Sequence, residues 1–283
     1  MAAGTSCRFA PLSYETPKPL LNVRGEVLIE RQIKQLKDAG IGDIIIVVGY
    51  MKERLFYLKD KFNVRIVEND DYNIRNNNSS IYAVREYLGN SYVCSADNYF
   101  TENPFESEVS EPYYSALYAE GKTDEWCVKT DADGYINKVT IGGEDSLYMM
   151  GHVFWDRKFS EKFTEILLSE YNLPETAGLL WESIYANHLD DLKLKVRRYE
   201  NSIIAEIDSL DELRAFDKSY INDTRSKILK QISNELGCKE SELYNISAIK
   251  DPLFTGAVGF DFSYDGVLYR YNYTDKKWWK ING

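Results

Sequence analysis

The sequence predicts an α/β fold: a doubly wound sheet of mixed direction with a small C-terminal α+β appendage. Three observations predict it. Helix-like and strand-like patterns alternate through the first hundred residues, the order that builds a parallel sheet covered by helices. Residues 44–48 are an unbroken Ile-Ile-Ile-Val-Val run, the signature of a strand covered on both faces. After residue 222 the pattern becomes one helix and a hairpin signal at Asp265-Gly266.

Each element has its own warrant. Ile29, Ile33 and Leu36 fall at helical spacing within 27–39, and Gly40 stands where a C-terminal glycine ends a helix. The strand 44–48 follows, then helical periodicity over 51–62, a short strand at 64–67, and a helix over 80–88 with Ser79 as its N-cap. Residues 92–96 read as the next strand and end at Asp97. The stretch 113–155 changes character: strand-like 125–130 and 136–141 flank Asp133-Gly134, so an antiparallel or mixed extension is expected. Helices at 158–171 and 175–188 and strands at 192–198 and 203–207 follow. Ser209 with Glu212 forms a capping box that opens a helix to Tyr220. The main domain is read as 1–220. Residues 221–283 are a separate piece, with a helix to about Leu236 and a hairpin pairing 260–264 with 267–271. In such sheets ligands bind beyond the carboxyl ends of the strands, so residues 3–8, 76–80 and Asp97-Asn98 are expected to face one crevice.

Composition narrows the function. The 283 residues carry a net charge of −11, which argues against nucleic acid or an anionic membrane as partner, since both reward a basic field. An anionic substrate must then be held by local cations. The four cysteines, at 7, 94, 127 and 238, form no C-x-x-C pair, so neither a zinc site nor a disulfide framework is expected. With no signal peptide and no membrane-length apolar run, a cytoplasmic protein is expected. Only His152 and His188 exist, so histidine-based catalysis is not expected. A homo-oligomer is compatible with all of this.

The opening stretch MAAGTSCRFAPLSYETPKPLL carries the chemistry. Ala2, Ala3 and Gly4 let the backbone approach a ligand, and Arg8 offers a planar fork of donors. Lys18 stands between Pro17 and Pro19, which stiffen the chain around its ammonium. The segment reads as a nucleotide-phosphate loop, and on residue types alone equally well as a surface loop with two cations. Asp97 and Asp208, each at a strand end, are carboxylates of the kind that hold a divalent ion, with Glu206 two residues before Asp208. Taken alone, an Asp after a strand is more often a turn or cap residue.

The segments AAG, Arg8, PKPLL, LIERQIKQLKDAGI and DIIIVVGY resemble the Rossmann-like nucleotidyltransferases, and RNNNSS, SADNYF, GHVFWD, LLWESIY and EIDSLDELRAFD narrow the resemblance to the bacterial CTP:phosphocholine cytidylyltransferases of the LicC type. That resemblance implies transfer of CMP from CTP to phosphocholine, with Mg2+ as cofactor and CDP-choline and pyrophosphate as products. It implies Lys18 as the catalytic lysine aided by Arg8, and Asp97 and Asp208 as metal ligands supported by Glu206. It further implies that Ala2, Ala3, Gly4, Asn77, Asn78, Ser79 and Ser80 bind the nucleotide. Trp126, Trp155, Tyr171 and Trp181, with Glu182, would form the choline cage.

The chain departs from the family at the first strand, of which the apolar residues before Ala2 are absent, at Ser6, which replaces a loop glycine, and at Leu180, where a relative has an aromatic. Residues 221–283 weakly resemble the start of a fused choline-kinase-like lobe without its catalytic loop, so they are read as a remnant used for packing or pairing. Two alternatives stand beside this reading: a nucleotidyltransferase for another phosphorylated alcohol or a sugar phosphate, and a non-catalytic binding module.

Overall fold

Three residues at the start of the chain join two strands of a sheet. In the computed structural model, which describes residues 1–250 and 256–281, the Met1 amino group donates to Cys94 O (2.6 Å) and Ala96 N–H donates to Met1 O (3.1 Å). On the other side Ala2 N–H donates to Val47 O (2.8 Å) and Tyr50 N–H donates to Ala3 O (3.0 Å). Met1–Ala3 thus supply the ladder bonds of a central strand, between Ile45–Val48 and Ser91–Cys94.

The chain divides into two compact units. The first comprises Met1–Ala3 and Glu30–Glu206. Here Ile45–Val48 pairs in parallel with Arg65–Glu68, while Ser91–Cys94 runs antiparallel to the long strand Ile136–Trp155. Ile136–Trp155 pairs in turn with Tyr113–Thr130, which pairs in parallel with Lys195–Arg198. The sheet is therefore mixed, as expected, and the Asp133-Gly134 turn lies where it was read, with Gly134 at φ 86°. The core of the unit is aromatic: Trp155 and Trp181 are fully buried with Phe159, Phe163, Ile184 and Tyr185. A short antiparallel pair, Asn98–Phe100 with Ile204–Glu206, closes this unit.

The second unit comprises Gly4–Ile29 and Ile207–Gly283. Its described parts include the helices Leu210–Phe216 and Lys227–Leu236 and a four-stranded antiparallel sheet, Tyr244–Lys250, Ala257–Tyr264, Val267–Asn272 and Lys277–Lys280. The expected hairpin across Asp265-Gly266 is its middle pair. Ser226 accepts from Leu229 N–H and starts the second helix, so it begins at residue 227.

Several elements differ from the sequence reading for identifiable reasons. The helix read over 175–188 begins only at Trp181, because the backbone carbonyls ahead of it are taken by asparagines. Asn78 Nδ2 donates to Thr176 O (3.0 Å) and to Leu179 O, and Asn76 donates from its backbone to Ala177 O (2.8 Å) and from its side chain to Gly178 O (3.1 Å). The helix read over 80–88 starts earlier, at Asn78, so Ser79 lies inside the first turn and its hydroxyl donates to Asn76 O (2.8 Å). Periodicity over 51–62 resolves into a 3-10 turn, Lys52–Leu55, and a short helix, Tyr57–Phe62, after Met51 takes a left-handed φ of 49°.

Candidate active site

In the second unit the loop and the Asp208 segment meet. Pro17 precedes, and Pro19 lies within, a 3-10 turn, Lys18–Leu20, that buries Lys18 to 3% exposure. Its Nζ lies 2.7 Å from Asp208 Oδ1, and Arg8 Nη2 lies 2.8 Å from Asp208 Oδ2. A buried ammonium requires a compensating charge, and this carboxylate is one. The Arg8 side chain is 70% exposed, so its contact with Asp208 is solvent-screened and the guanidinium is accessible to a ligand. Asp208 is itself fixed: its N–H donates to Glu212 Oε2 (2.6 Å), while Ser209 Oγ accepts from Glu212 N–H (3.2 Å). Ser209 caps the helix as read from the sequence, but the Glu212 carboxylate reaches past Ser209 to the Asp208 N–H, so the reciprocal bond is shifted by one residue and sets the aspartate at the helix entrance.

In the first unit, Asp97 immediately precedes the strand Asn98–Phe100 and Glu206 ends its antiparallel partner. The register Glu206↔Asn98 puts the two carboxylates side by side, with oxygens within 4.8 Å of each other. Two hard oxygen donors at that separation have the chemistry of a divalent-cation site. Asp208 follows Glu206 by two residues in the chain.

The polar stretch 76–80 is largely committed to the protein itself. Asn78, Ser79 and Ser80 are buried; Asn69 Nδ2 donates to the Ser79 (2.8 Å) and Ser80 (3.2 Å) hydroxyls. Asn77 is half-buried: its Oδ1 accepts from Trp181 N–H (2.7 Å), and its Nδ2 donates to Glu182 Oε2 (3.0 Å). Ala2 and Ala3 are buried in the first unit, and the chain passes into the second at Gly4.

The aromatic candidates fall into two groups. Trp181 stacks on Tyr114 (5.7 Å) and meets Trp155 edge-on (5.1 Å), and Trp155 also packs on Phe159 and Phe163, so both indoles belong to the core. Tyr171 stacks on Tyr82 (3.7 Å), has the Arg75 guanidinium 3.9 Å from its ring centre, and donates its hydroxyl to Asp71 Oδ2 (2.5 Å). Trp126 is only partly buried against the same core. Glu182 accepts from Asn77 and from the Tyr114 hydroxyl (3.4 Å), and burial pushes its carboxyl up to about 7 against the lowering effect of the Asn77 bond. Tyr114, Asp71 and Arg75 were not singled out from sequence. The only signal was the paired tyrosine at 113–114 at the start of a strand, which gives no hint of the Glu182 contact.

His152 lies in the core and His188 pairs with a carboxylate. His152 is buried with its Nε2 3.1 Å from the Tyr113 hydroxyl, and burial pushes its pKa down to about 3. His188 Nε2 lies 2.7 Å from Glu170 Oε1. Among the described residues no helix is long and apolar enough to cross a membrane.

Comparison with known proteins gives a consistent picture. Residues 1–120 match the family model of the MobA-like NTP transferase domain. A choline-phosphate cytidylyltransferase of Streptococcus pneumoniae is 37% identical over 223 residues, 79% of this chain and 97% of that protein. A 2-aminoethylphosphonate cytidylyltransferase of Lancefieldella rimae is 36% identical over 230 residues, 80% of this chain and 94% of that protein. The solved structure of the Streptococcus pneumoniae CTP:phosphocholine cytidylyltransferase, LicC, is similar with a TM-score of 0.74 at 38% identity, covering 77% of this chain and 96% of that one.

Proposed function

The chain belongs to the choline-phosphate cytidylyltransferase family, and from that membership we propose that it transfers CMP from CTP to phosphocholine, giving CDP-choline and pyrophosphate. A phosphate oxygen of phosphocholine attacks the α-phosphorus of CTP in line. The new P–O bond forms as the bond to the bridging oxygen of pyrophosphate breaks, and negative charge gathers on the leaving group. Little covalent work falls to the protein; alignment and charge neutralisation dominate. Lys18 and Arg8 supply the cations. The observation that carries this reading is Lys18 itself, an ammonium buried in a proline-bracketed turn 2.7 Å from Asp208, with the exposed Arg8 guanidinium on the same carboxylate.

Asp97, Asp208 and Glu206 are the residues we assign to Mg2+, whose preference for carboxylate oxygen fits the Asp97 and Glu206 pair. When bound, the ion offsets triphosphate charge. Ala2, Ala3 and Gly4 bring backbone N–H groups to the phosphates. Of the stretch Asn77, Asn78, Ser79 and Ser80, Asn77 is the one we assign to direct contact with the nucleotide, and its three buried neighbours hold the loop in place. At the acceptor end a quaternary ammonium donates no hydrogen bond and is met by aromatic faces and carboxylates. Trp126 and Tyr171 supply faces, Glu182 supplies charge, and Trp155 and Trp181 back them from the core. The acidic surface leaves nucleic acid and membrane out of this scheme, and the cytoplasm, where CTP is available, is its compartment.

A second acceptor is favoured by a specific observation: the Lancefieldella rimae relative, almost equally similar, is a 2-aminoethylphosphonate cytidylyltransferase. A primary ammonium can donate hydrogen bonds that choline cannot, and the Glu182 carboxylate and Tyr114 hydroxyl could accept them. Pyrophosphate release from CTP and Mg2+ with each acceptor in turn decides between the two. Phosphocholine is expected to give the higher kcat/KM, and Asp97→Ala is expected to abolish release. Turnover only with 2-aminoethylphosphonate or a sugar phosphate would replace the acceptor, and no turnover with any would leave a binding module.

A further inference from the structure

We propose that the C-terminal segment, 221–283, is the brace of the phosphate loop, and that Glu15 and Tyr273 are positioning residues for Lys18 and Arg8. The kinetic part of this inference rests on the cytidylyltransferase reading; its structural part does not.

The loop cannot hold itself. From Cys7 to Leu20 it consists of a three-residue 3-10 turn, a four-residue helix and another three-residue 3-10 turn, all far below the length at which a helix is stable alone. Its rigidity must come from packing: Asp208 holds the two cations, and residues beyond 220 hold the segment between and beside them. Glu15, the last residue of the short helix, accepts from Lys227 N–H (2.9 Å) with Oε1 and from the Ser226 hydroxyl with Oε2. The carboxylate therefore sits on the positive end of the ten-residue helix Lys227–Leu236, where it satisfies an otherwise orphaned N–H.

One residue earlier, Tyr14 stacks face to face on Tyr273, with ring centres 3.8 Å apart and planes within 4°. The strand Tyr244–Lys250 runs beside Cys7–Phe9, the turn that carries Arg8. Past Lys18, Arg225 Nη1 donates to Asn22 O (2.6 Å). The loop is thus gripped before, between and after its two cations.

The relatives account for about four-fifths of this chain, and the last family-like stretch read from the sequence ends at Tyr220. The brace is therefore an addition to the shared domain, and packing on the phosphate loop is the use we assign to it. Besides the loop with Arg8 and Lys18 it holds Arg214, whose guanidinium donates to Glu240 O (2.7 Å) and Leu243 O (2.9 Å); weakening its grip on the loop should loosen CTP binding and leave the acceptor alone.

The test uses the full chain with Tyr273→Ala, Tyr273→Phe and Glu15→Gln. Amide hydrogen exchange over residues 7–20 is expected to quicken roughly 2- to 10-fold in Tyr273→Ala, the range set by losing one stacked pair, and about fivefold in Glu15→Gln. Exchange in the helix Arg157–Glu170 should stay unchanged, and Tyr273→Phe, which keeps the stack, should behave as wild type. The KM for CTP should rise by the same factors while the KM for phosphocholine stays put. Were the segment merely stabilising, exchange would rise throughout or both KM values would hold. If Tyr273→Ala fails to fold, Tyr14→Ala removes the same stack from the exposed side. Unchanged exchange at 7–20 in folded Glu15→Gln and stack-deleted variants overturns the brace. A wild-type enzyme inactive on CTP would instead count against the proposed reaction, leaving the exchange result to decide the brace.

Discussion

Substituting Glu182 by Gln should make the protein more stable in alkali and remove one pH-dependent loss of stability that the wild type carries. The carboxyl sits at about 7 instead of 4.5, chiefly because burial penalises its charged form. The difference, roughly 2.5 pH units, corresponds to about 3.4 kcal/mol at about 1.36 kcal/mol per unit. The residue is only half-buried and water relieves part of the penalty, so about 2 kcal/mol is the figure to expect. Protonation favours the folded state here. The contribution is fully present below pH 4.5 and is lost as pH rises through 7. Gln stays neutral and still offers an oxygen to Asn77 or Tyr114, so it imitates the protonated form at every pH. Melting curves of both proteins from pH 4 to 9 should come together at the acid end and separate by roughly 4–8 °C at the alkaline end. The same ionisation bears on the acceptor: a cation bound beside Glu182 favours the carboxylate, so the KM for phosphocholine should fall as pH rises through 7 in wild type and stay flat in Glu182→Gln. Parallel melting curves would refute the burial argument, and parallel KM profiles would remove Glu182 from the acceptor site.

Three further outcomes follow from the geometry. Lys18→Met should lower kcat by about a hundredfold, the scale of losing one preorganised charge at the leaving group, and Arg8→Met by less because its guanidinium is solvent-screened; steady-state pyrophosphate release measures both. Gly49→Ala should cost roughly 1–3 kcal/mol in chemical denaturation, since an added Cβ would stand 2.8 Å from Ala3 O and 2.6 Å from the Tyr72 ring, in a packed sheet with little room to give. His152 should remain neutral in the folded protein: its pKa is pushed down to about 3, so an NMR titration should show no imidazole transition between pH 5 and 8, and stability should fall as pH drops below 6.5 because the unfolded chain takes up the proton.

The sequence carried whatever depends on residues near one another in the chain. The amphipathic helix from residue 28, the β-branched strand at 45–48, the Asp-Gly hairpins and the Ser209–Glu212 cap were all legible, because periodicity, turn chemistry and capping act over three or four residues. Legibility failed where a distant partner overrides the local signal. Residues 175–180 have helical periodicity, yet the side chains of Asn76 and Asn78, about a hundred positions away, occupy their carbonyls. The strands Tyr244–Lys250 and Lys277–Lys280 went unread because only pairing with the hairpin between them gives their residues a face to bury. The same holds within the candidate site. Lys18 and Asp208 are 190 positions apart, and each was found through its own local motif and the family resemblance. Tyr114 and Glu15 had no such motif. One reads as an ordinary strand tyrosine and the other as a surface carboxylate ending a turn, until the partners that define them, Glu182 and the start of the helix at 227, are brought alongside by the fold. Glu15 is where substitutions in the C-terminal segment would act on catalysis while leaving every family motif intact.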